Sequence, residues 1–478
     1  MQREEKEQFY EEHLFPEIRR RFMASNAPPQ PFDVLIIPVS NPHTVILNLE
    51  LYHPQVAVFL YTGRSHSYAA RFKDTTRELG IEYEEAEQVV NEADPVSVYR
   101  AVKEVYRRHP GKHIGIDVTG GTKVMSVGAA MAGSVVGADS IYIESRFPSH
   151  IQARLPGHEH SYVLVDPYTI LGDIKRQRAF AAFAAHEYTA AKALFEELAA
   201  RVEPPQGDTE WAQLAAAYAA WDGFELDTAI KELRVLLSAP TLQGALRDAQ
   251  SHVTEHLAAL DHVLDLTQAH SPEREDYSDP AAYGKAVDTF VQRQINRLTT
   301  THSIPSLLAM FYSNALRREH QHRLDIAALL LYRCLELMSQ QRLAHQGLLT
   351  AFPKAGLHRL QQQVSNPNLN QRYDQILIGI GQHGRGSVPT GKLTLFNGYV
   401  LLAALGDPFA KACDLAQIQE RTDARNQSIL AHGYTFISVD VYNEFKAVVD
   451  DVIANWVKVE GLDWQHELRS CQFIQPPS

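Results

Sequence analysis

Apolar residues fall in short compact runs over the first third of the chain and at helical spacing over the rest. The runs at 33–39, 56–61, 113–118 and 140–143, with a weaker one at 81–83, predict strands. Residues 67–79, 95–108 and 122–136 predict the helices between them. Short apolar strands alternating with helices imply a doubly wound parallel sheet, an α/β domain. Residues 162–165 are a candidate edge strand before this domain ends near Pro167, and residues 1–30 read as a polar helix closed by Pro28-Pro29.

After about residue 175 the period becomes helical, giving an all-α remainder. Stretches at 179–202, 211–237 and 241–269 are separated by Pro- and Gly-containing joints, and residues 271–276 are a charged linker candidate. Residues 324–345 form the strongest helix, with Ile326, Leu329, Leu330, Leu337 and Met338 apolar. Two long helices, roughly 409–432 and 441–457, follow. This organisation predicts an α/β domain at 1–175, a helical spacer at 176–300 and a helical domain at 301–478.

The chain has 478 residues, 45% of them hydrophobic and 21% charged, which is ordinary globular composition. A net charge of -12 argues against a long basic groove tracking a nucleic-acid backbone, so any anion site must be local. Three scattered cysteines exclude a disulfide framework or a cysteine zinc site. With no apolar run near ~20 residues and a charged N-terminus, the expectation is a cytoplasmic protein with no membrane partner.

The fourth strand runs into Asp117-Val118-Thr119-Gly120-Gly121-Thr122-Lys123, and a helix starts at once. Ligands of open parallel sheets bind beyond the carboxyl ends of the strands. There, glycines let backbone N–H groups approach a ligand, and a helix start favours anions. Ser40-Asn41 after the first strand and Thr62-Gly63 after the second add polar loops at the same edge. The candidate ligand residues are therefore Ser40, Asn41, Thr62, Gly63, Thr119, Gly120, Gly121, Thr122 and Lys123. Walker A fails because Val124 follows Lys123, and no GxGxxG follows the first strand, which disfavours an ordinary NTPase or dehydrogenase. The plain alternative is a tight strand–helix turn with Thr122 as its N-cap.

The strand–DVTGGTK–helix arrangement, over about residues 31–168, resembles the CARF domain of CRISPR-associated proteins, a Rossmann-like sensor of cyclic oligoadenylates. The resemblance implies a two-fold dimer with the ring-shaped ligand across its axis. It makes a cyclic oligoadenylate second messenger, with tetra-adenylate the expected ring, an activator and not a cofactor.

Near the C-terminus, Arg425-Asn426-Gln427-Ser428-Ile429-Leu430-Ala431-His432 fits the Arg-x(4–6)-His signature of HEPN ribonucleases, with the Asn that often follows the Arg. The same spacing occurs at Arg107 or Arg108 with His113, Arg154 with His160, and Arg317 with His322. Only Arg425/His432 lies late in the helical region with an Arg-Asn pair. Arg333 and Glu336 resemble the earlier helix of HEPN domains joined to CARF sensors in type III CRISPR systems. The resemblance implies a homodimeric endoribonuclease that cleaves single-stranded RNA without metal, with Arg425, Asn426 and His432 catalytic. A solvated helix face is the plain alternative for Arg425 and His432. The second functional reading is a sensor whose helices bind a partner or nucleic acid without cutting.

Overall fold

In this computed structural model the described residues are 5, 8–27, 31–39, 42–86, 90–146, 157–202, 207–239, 242, 244–267, 270–300, 302–350, 367–384, 387–389, 393–426, 428–430 and 433–477. They gather into two compact units, Met1–Ile174 and Lys175–Ser478.

The first unit is a six-stranded sheet in the order β3-β2-β1-β4-β5-β6. Its strands are β1 Val34–Pro38, β2 Val56–Leu60, β3 Glu82–Glu85, β4 Ile114–Asp117, β5 Asp139–Glu144 and β6 His160–Leu164. The first five are parallel, and β6 pairs antiparallel with β5. Side chains alternate across β1: Val34 and Ile36 enter one core layer, Leu35 and Ile37 the other. Both faces are covered, which is why β1 is a continuous apolar run. The chain winds outward from β1 through β2 to β3, then returns to place β4 on the other side of β1. The carboxyl ends of β1 and β4 therefore flank the topological switch point, where such sheets open a ligand crevice.

Two helices here depart from the expectation. The N-terminal segment is a short π turn, Tyr10–Leu14, followed by Phe15–Ser25, which is amphipathic and buries Phe15, Ile18 and Phe22. A helix at Pro42–Tyr52 was not expected. Nearly every residue of it is buried, so it has no polar face for a periodicity to reveal.

The second unit is helical. The expected stretch 179–202 is two helices, Asp173–Ala184 and Tyr188–Arg201, broken at His186 with φ 61°. The stretch 211–237 breaks in the same way at Phe224, φ 63°, between Asp208–Asp222 and Leu226–Leu237. Buried residues from Ala179 to Ile474 form one hydrophobic cluster. The chain end closes it. Phe473 stacks on Tyr218 at 3.9 Å between ring centroids, and the Arg317 guanidinium covers its ring at 3.9 Å. The Ile474 N–H donates to the Tyr218 hydroxyl at 2.9 Å, and the His256 ring meets the Gln472 carbonyl at 3.0 Å. Burial drives the His256 pKa down to about 3, so this imidazole stays neutral.

The helix Leu324–His345 has the expected bounds and buries Leu330, Leu337 and Met338, while Ile326 and Leu329 remain exposed. The long helix expected over 409–432 is instead Pro408–Ala412 and Leu415–Asn426. Asp414 separates them by accepting the N–H groups of Ala416 and Gln417, both at 3.1 Å, which caps a new helix. That helix ends at Asn426, so Arg425 sits in its last turn. The next helix is Val439–Glu460.

Candidate functional site

At the switch point of the first unit, the loop after β4 is shaped by its own side chains. Asp117 is fully buried, and its Oδ1 accepts the Thr119 N–H at 2.8 Å. Burial pushes its carboxyl above the usual range. The Thr119 hydroxyl accepts the Ile143 N–H at 2.8 Å, tying the end of β4 to β5. Gly121 has φ 81°, and a Cβ there would sit 2.9 Å from Met125 Cβ, so both conformation and space require glycine. Thr122 caps the helix Lys123–Val136 by accepting the Met125 N–H, and its hydroxyl donates to the Glu92 carbonyl at 2.7 Å. The turn-and-cap alternative thus describes what Thr122 does here. Lys123 is exposed in the first turn.

Of the other expected ligand residues, Thr62 is buried and exchanges hydrogen bonds with Ser65, closing the turn after β2. Gly63 is exposed, with open space about it. Ser40 and Asn41 lie outside the described residues. Glu92, which the sequence reading missed, links two of these loops. Its carboxylate pairs with Arg64 at 3.6 Å, and its carbonyl holds Thr122. In the β4 loop Gly120 is buried and Gly121 half-buried, while Thr122 and Lys123 are exposed at the helix start. A helix start with an exposed lysine in its first turn favours an anion.

In the second unit, Arg425 is buried to 7% exposure at the end of Leu415–Asn426. Its guanidinium lies 4.5 Å from the centroid of the Tyr332 ring and donates to Asn426 Oδ1 at 3.2 Å. Burial pulls the guanidinium below its usual pKa, while Tyr332 and Glu336 oppose that fall. Arg333 pairs with Glu336 at 2.8 Å. The tertiary fold thus brings the 331–336 motif against Arg425 across some ninety residues, and Tyr332 is the contact that sequence reasoning missed. An aromatic side chain beside Arg333 was its only local signal.

The loop beyond Asn426 closes on itself. Ser428 and Thr435 are bridged, and the Gly433 N–H donates to the Ser428 carbonyl at 3.0 Å. Arg421 pairs with Glu444 at 2.6 Å, joining the helices on either side. His432 lies outside the described residues. The rim of the loop is apolar and open: Tyr434 is 95% exposed, Phe436 77% and Val439 61%.

The structure accounts for two competing Arg–His spacings. Arg317 is spent on Asp222 at 2.8 Å and on the Phe473 ring. Arg108 pairs with Glu84 and Glu104, and His113 with Asp139. Arg154 lies outside the described residues.

Two domain families match the chain in order. The Csm6 6H domain matches residues 171–266 and the Csm6 HEPN domain residues 296–455, together just over half the chain. The chain belongs to the CARF–HEPN ribonuclease family of CRISPR systems. The CRISPR system endoribonuclease Csm6 of Thermus thermophilus is 25% identical over 355 residues, covering 72% of this chain and 69% of that one. Among solved structures, Enterococcus italicus Csm6 bound to cyclic hexa-2'-fluoro-hexa-dAMP aligns over 92% of this chain and 97% of its own, with TM-score 0.43 and 10% identity. Can2 from Sulfobacillus thermosulfidooxidans in complex with cyclic tetra-adenylate aligns over 58% and 70%, with TM-score 0.22 and 18% identity. In this family setting, Arg425 with its neighbours in the HEPN part and the β4 loop in the CARF part are the two places to seek chemistry and sensing.

Proposed function

We propose that this protein is a cyclic-oligoadenylate-activated, metal-independent endoribonuclease of type III CRISPR defence that cuts single-stranded RNA as a homodimer. The observation that carries the reading is the Arg425 guanidinium, buried over Tyr332 at a helix end immediately before the loop that contains His432. A cation held in a desolvated place stabilises developing negative charge far better than one in water.

RNA carries its own nucleophile, so this reaction needs no metal-bound water. The 2′-oxygen attacks the adjacent phosphorus and the bond to the 5′-oxygen breaks, leaving a cyclic phosphate and a 5′-hydroxyl. One proton leaves the 2′-hydroxyl and one reaches the departing oxygen. Arg425 holds the phosphate through two parallel N–H donors, His432 moves a proton, and Asn426 orients the arginine it already contacts.

Each chain supplies half of a site. Exposed Val127, Met131 and Val135 recur every four residues on the helix that begins at the sensor loop, and Tyr434, Phe436 and Val439 surround the nuclease loop. Apolar surfaces of this kind favour a partner, and a two-fold pairing of identical patches is the simplest way to cover both. A two-fold sensor pocket suits an even-numbered ring, and the tetra-adenylate remains the expected activator. Among the described residues, no helix is long and apolar enough to cross a membrane. The proposed place of action is the cytoplasm.

The test is cleavage of a single-stranded RNA in EDTA, with rings of four and six adenylates compared, on wild type, Arg425→Ala and His432→Ala. Wild type is expected to give cyclic-phosphate and 5′-hydroxyl ends, and both variants to lose at least about a hundredfold in rate while binding activator normally. Loss of cleavage in EDTA, or wild-type cleavage by His432→Ala, would overturn the reading. A wild type that binds the ring and never cuts would leave a sensor without nuclease activity.

A further inference from the structure

Beside Arg425 the HEPN part holds a second feature that the cleavage chemistry does not use. The helix Leu324–His345 presents Tyr332, Glu336, Gln340 and Leu343 at spacings of three and four, so they form one ridge. Tyr332 carries the Arg425 guanidinium, and Glu336 also acts on it electrostatically. Past Glu336 the same ridge borders a polar cleft completed by Ser339, Thr350, Thr394 and Gly398. The cleft is about 60 Å3 in volume, room for roughly four waters at the ~15 Å3 each requires. That is too small for a whole base and suited to the hydrogen-bonding edge of one.

The lining is built for that edge. A Cβ on Gly398 would stand 2.7 Å from the Ser339 hydroxyl, so glycine lets the two helices that line the cleft pack closely there. Thr394 spends its hydroxyl on capping the helix Leu395–Leu405, accepting the Asn397 N–H at 3.4 Å. The Gln340 amide makes no hydrogen bond to any described residue. Arg333 pairs with Glu336 at 2.8 Å, which fixes the carboxylate at the mouth. Gln340 follows Glu336 by one helical turn, a rise of about 6 Å, and Tyr332 by two, so the cleft lies farther along the ridge on which Arg425 rests.

We propose that this cleft is a base-reading subsite: it takes the Watson–Crick edge of the nucleotide next to the scissile phosphate and selects bases that carry an exocyclic amine. This rests on Arg425 being the phosphate-holding residue. A carboxylate only accepts hydrogen bonds, so it favours the amino groups of adenine, cytosine and guanine. Uracil carries no exocyclic amine; its one donor on this edge, N3–H, is flanked by two carbonyl oxygens that meet the carboxylate unfavourably. The Gln340 amide, both donor and acceptor, completes the pairing to the adjacent ring atom. Reading an unstacked base by its edge is the usual route to sequence preference in single-stranded RNA.

The experiment uses the full-length activated dimer and four short RNAs. Each has one cleavable 2′-hydroxyl in a 2′-O-methyl background and differs only in the flanking base. Wild type is expected to cut the A, C and G substrates about tenfold faster than the U substrate at low RNA concentration, a value within the ~1–3 kcal/mol typical of a good base contact. Gln340→Ala, and independently Thr350→Val, should shrink that ratio to threefold or less through KM on the favoured RNAs. In both variants kcat at saturating RNA and activator affinity should stay within twofold of wild type. A wild type without base preference would overturn the subsite and leave the nuclease standing. So would variants that keep the preference or lose kcat equally on all four RNAs. Failure of wild type to cut any of the four would sink the nuclease reading and the subsite together.

Discussion

On the proposed function the loop after β4 and the loop after Arg425 both serve a phosphate, yet they are built in opposite ways. In the first, Asp117 Oδ1 and the hydroxyls of Thr119 and Thr122 bond within the chain, and Lys123 is exposed beside them. In the second, a buried cation is backed by Tyr332 and fringed by exposed apolar side chains. A binding loop needs fixed amides, and its own side chains can fix them. A cutting loop needs a charge in a dry place, and a rim as open as Tyr434 and Phe436 becomes dry only when something covers it.

The comparison breaks most visibly at Gly121. Gly121→Val forces a left-handed backbone, costing about 1–2 kcal/mol, and drives a side chain into Met125. The activator concentration for half-maximal cleavage should rise about tenfold or more, by the usual 1.4 kcal/mol per decade. Cleavage at saturating activator should be largely kept. An unchanged activation curve would mean the loop's shape does not matter to sensing.

An effect of comparable size sharpens the other side. A cation–π contact to a desolvated guanidinium contributes up to about 2 kcal/mol, so Tyr332→Leu should slow single-turnover cleavage by up to about thirtyfold at unchanged activator affinity. Tyr332→Phe keeps the ring face and should stay within about threefold. If Phe fell as far as Leu, the hydroxyl would be the working group, and Tyr332 would not act by positioning Arg425.

The smallest effect is one of stability. Asp117 has its folded-state pKa raised by burial, so the folded protein holds this proton more tightly than the unfolded chain. The penalty for the buried carboxylate is absent below the ordinary aspartate range. It grows as pH rises through that range to the raised value and is full above it. Asp117→Asn still offers an oxygen to the Thr119 N–H. Its melting temperature should therefore gain on wild type, by a few degrees, between pH 4 and pH 8. A gain that shrank with rising pH would show that the carboxylate is stabilised where it sits.

Much of this was legible in the sequence, for identifiable reasons. β1, β2 and β4 are short apolar runs between helices. The helix Pro95–Arg108 announces itself through Asp94-Pro95, where Asp94 caps by accepting the Val96 N–H. The helix Pro42–Tyr52 was not legible because it is buried on all sides. The break at His186 was hidden because a non-glycine residue adopts positive φ there with no turn residue beside it, whereas Asp222-Gly223 does mark the break at Phe224. At the sites, the Thr-Gly-Gly-Thr turn and the Arg-Asn pair are contiguous and could be read directly. The contacts of Arg425 with Tyr332 and of Glu92 with Thr122 join distant parts of the chain and exist only once it has folded.

The most direct measurement is the activity of a mixed dimer with one wild-type chain and one His432→Ala chain, differently tagged and co-purified, at saturating activator. If the open rim around the nuclease loop is closed by a second copy that completes the site, the mixed dimer should cut RNA at far less than half the wild-type rate. Half the wild-type rate or more would mean that each chain cuts alone, and the composite site would be contradicted.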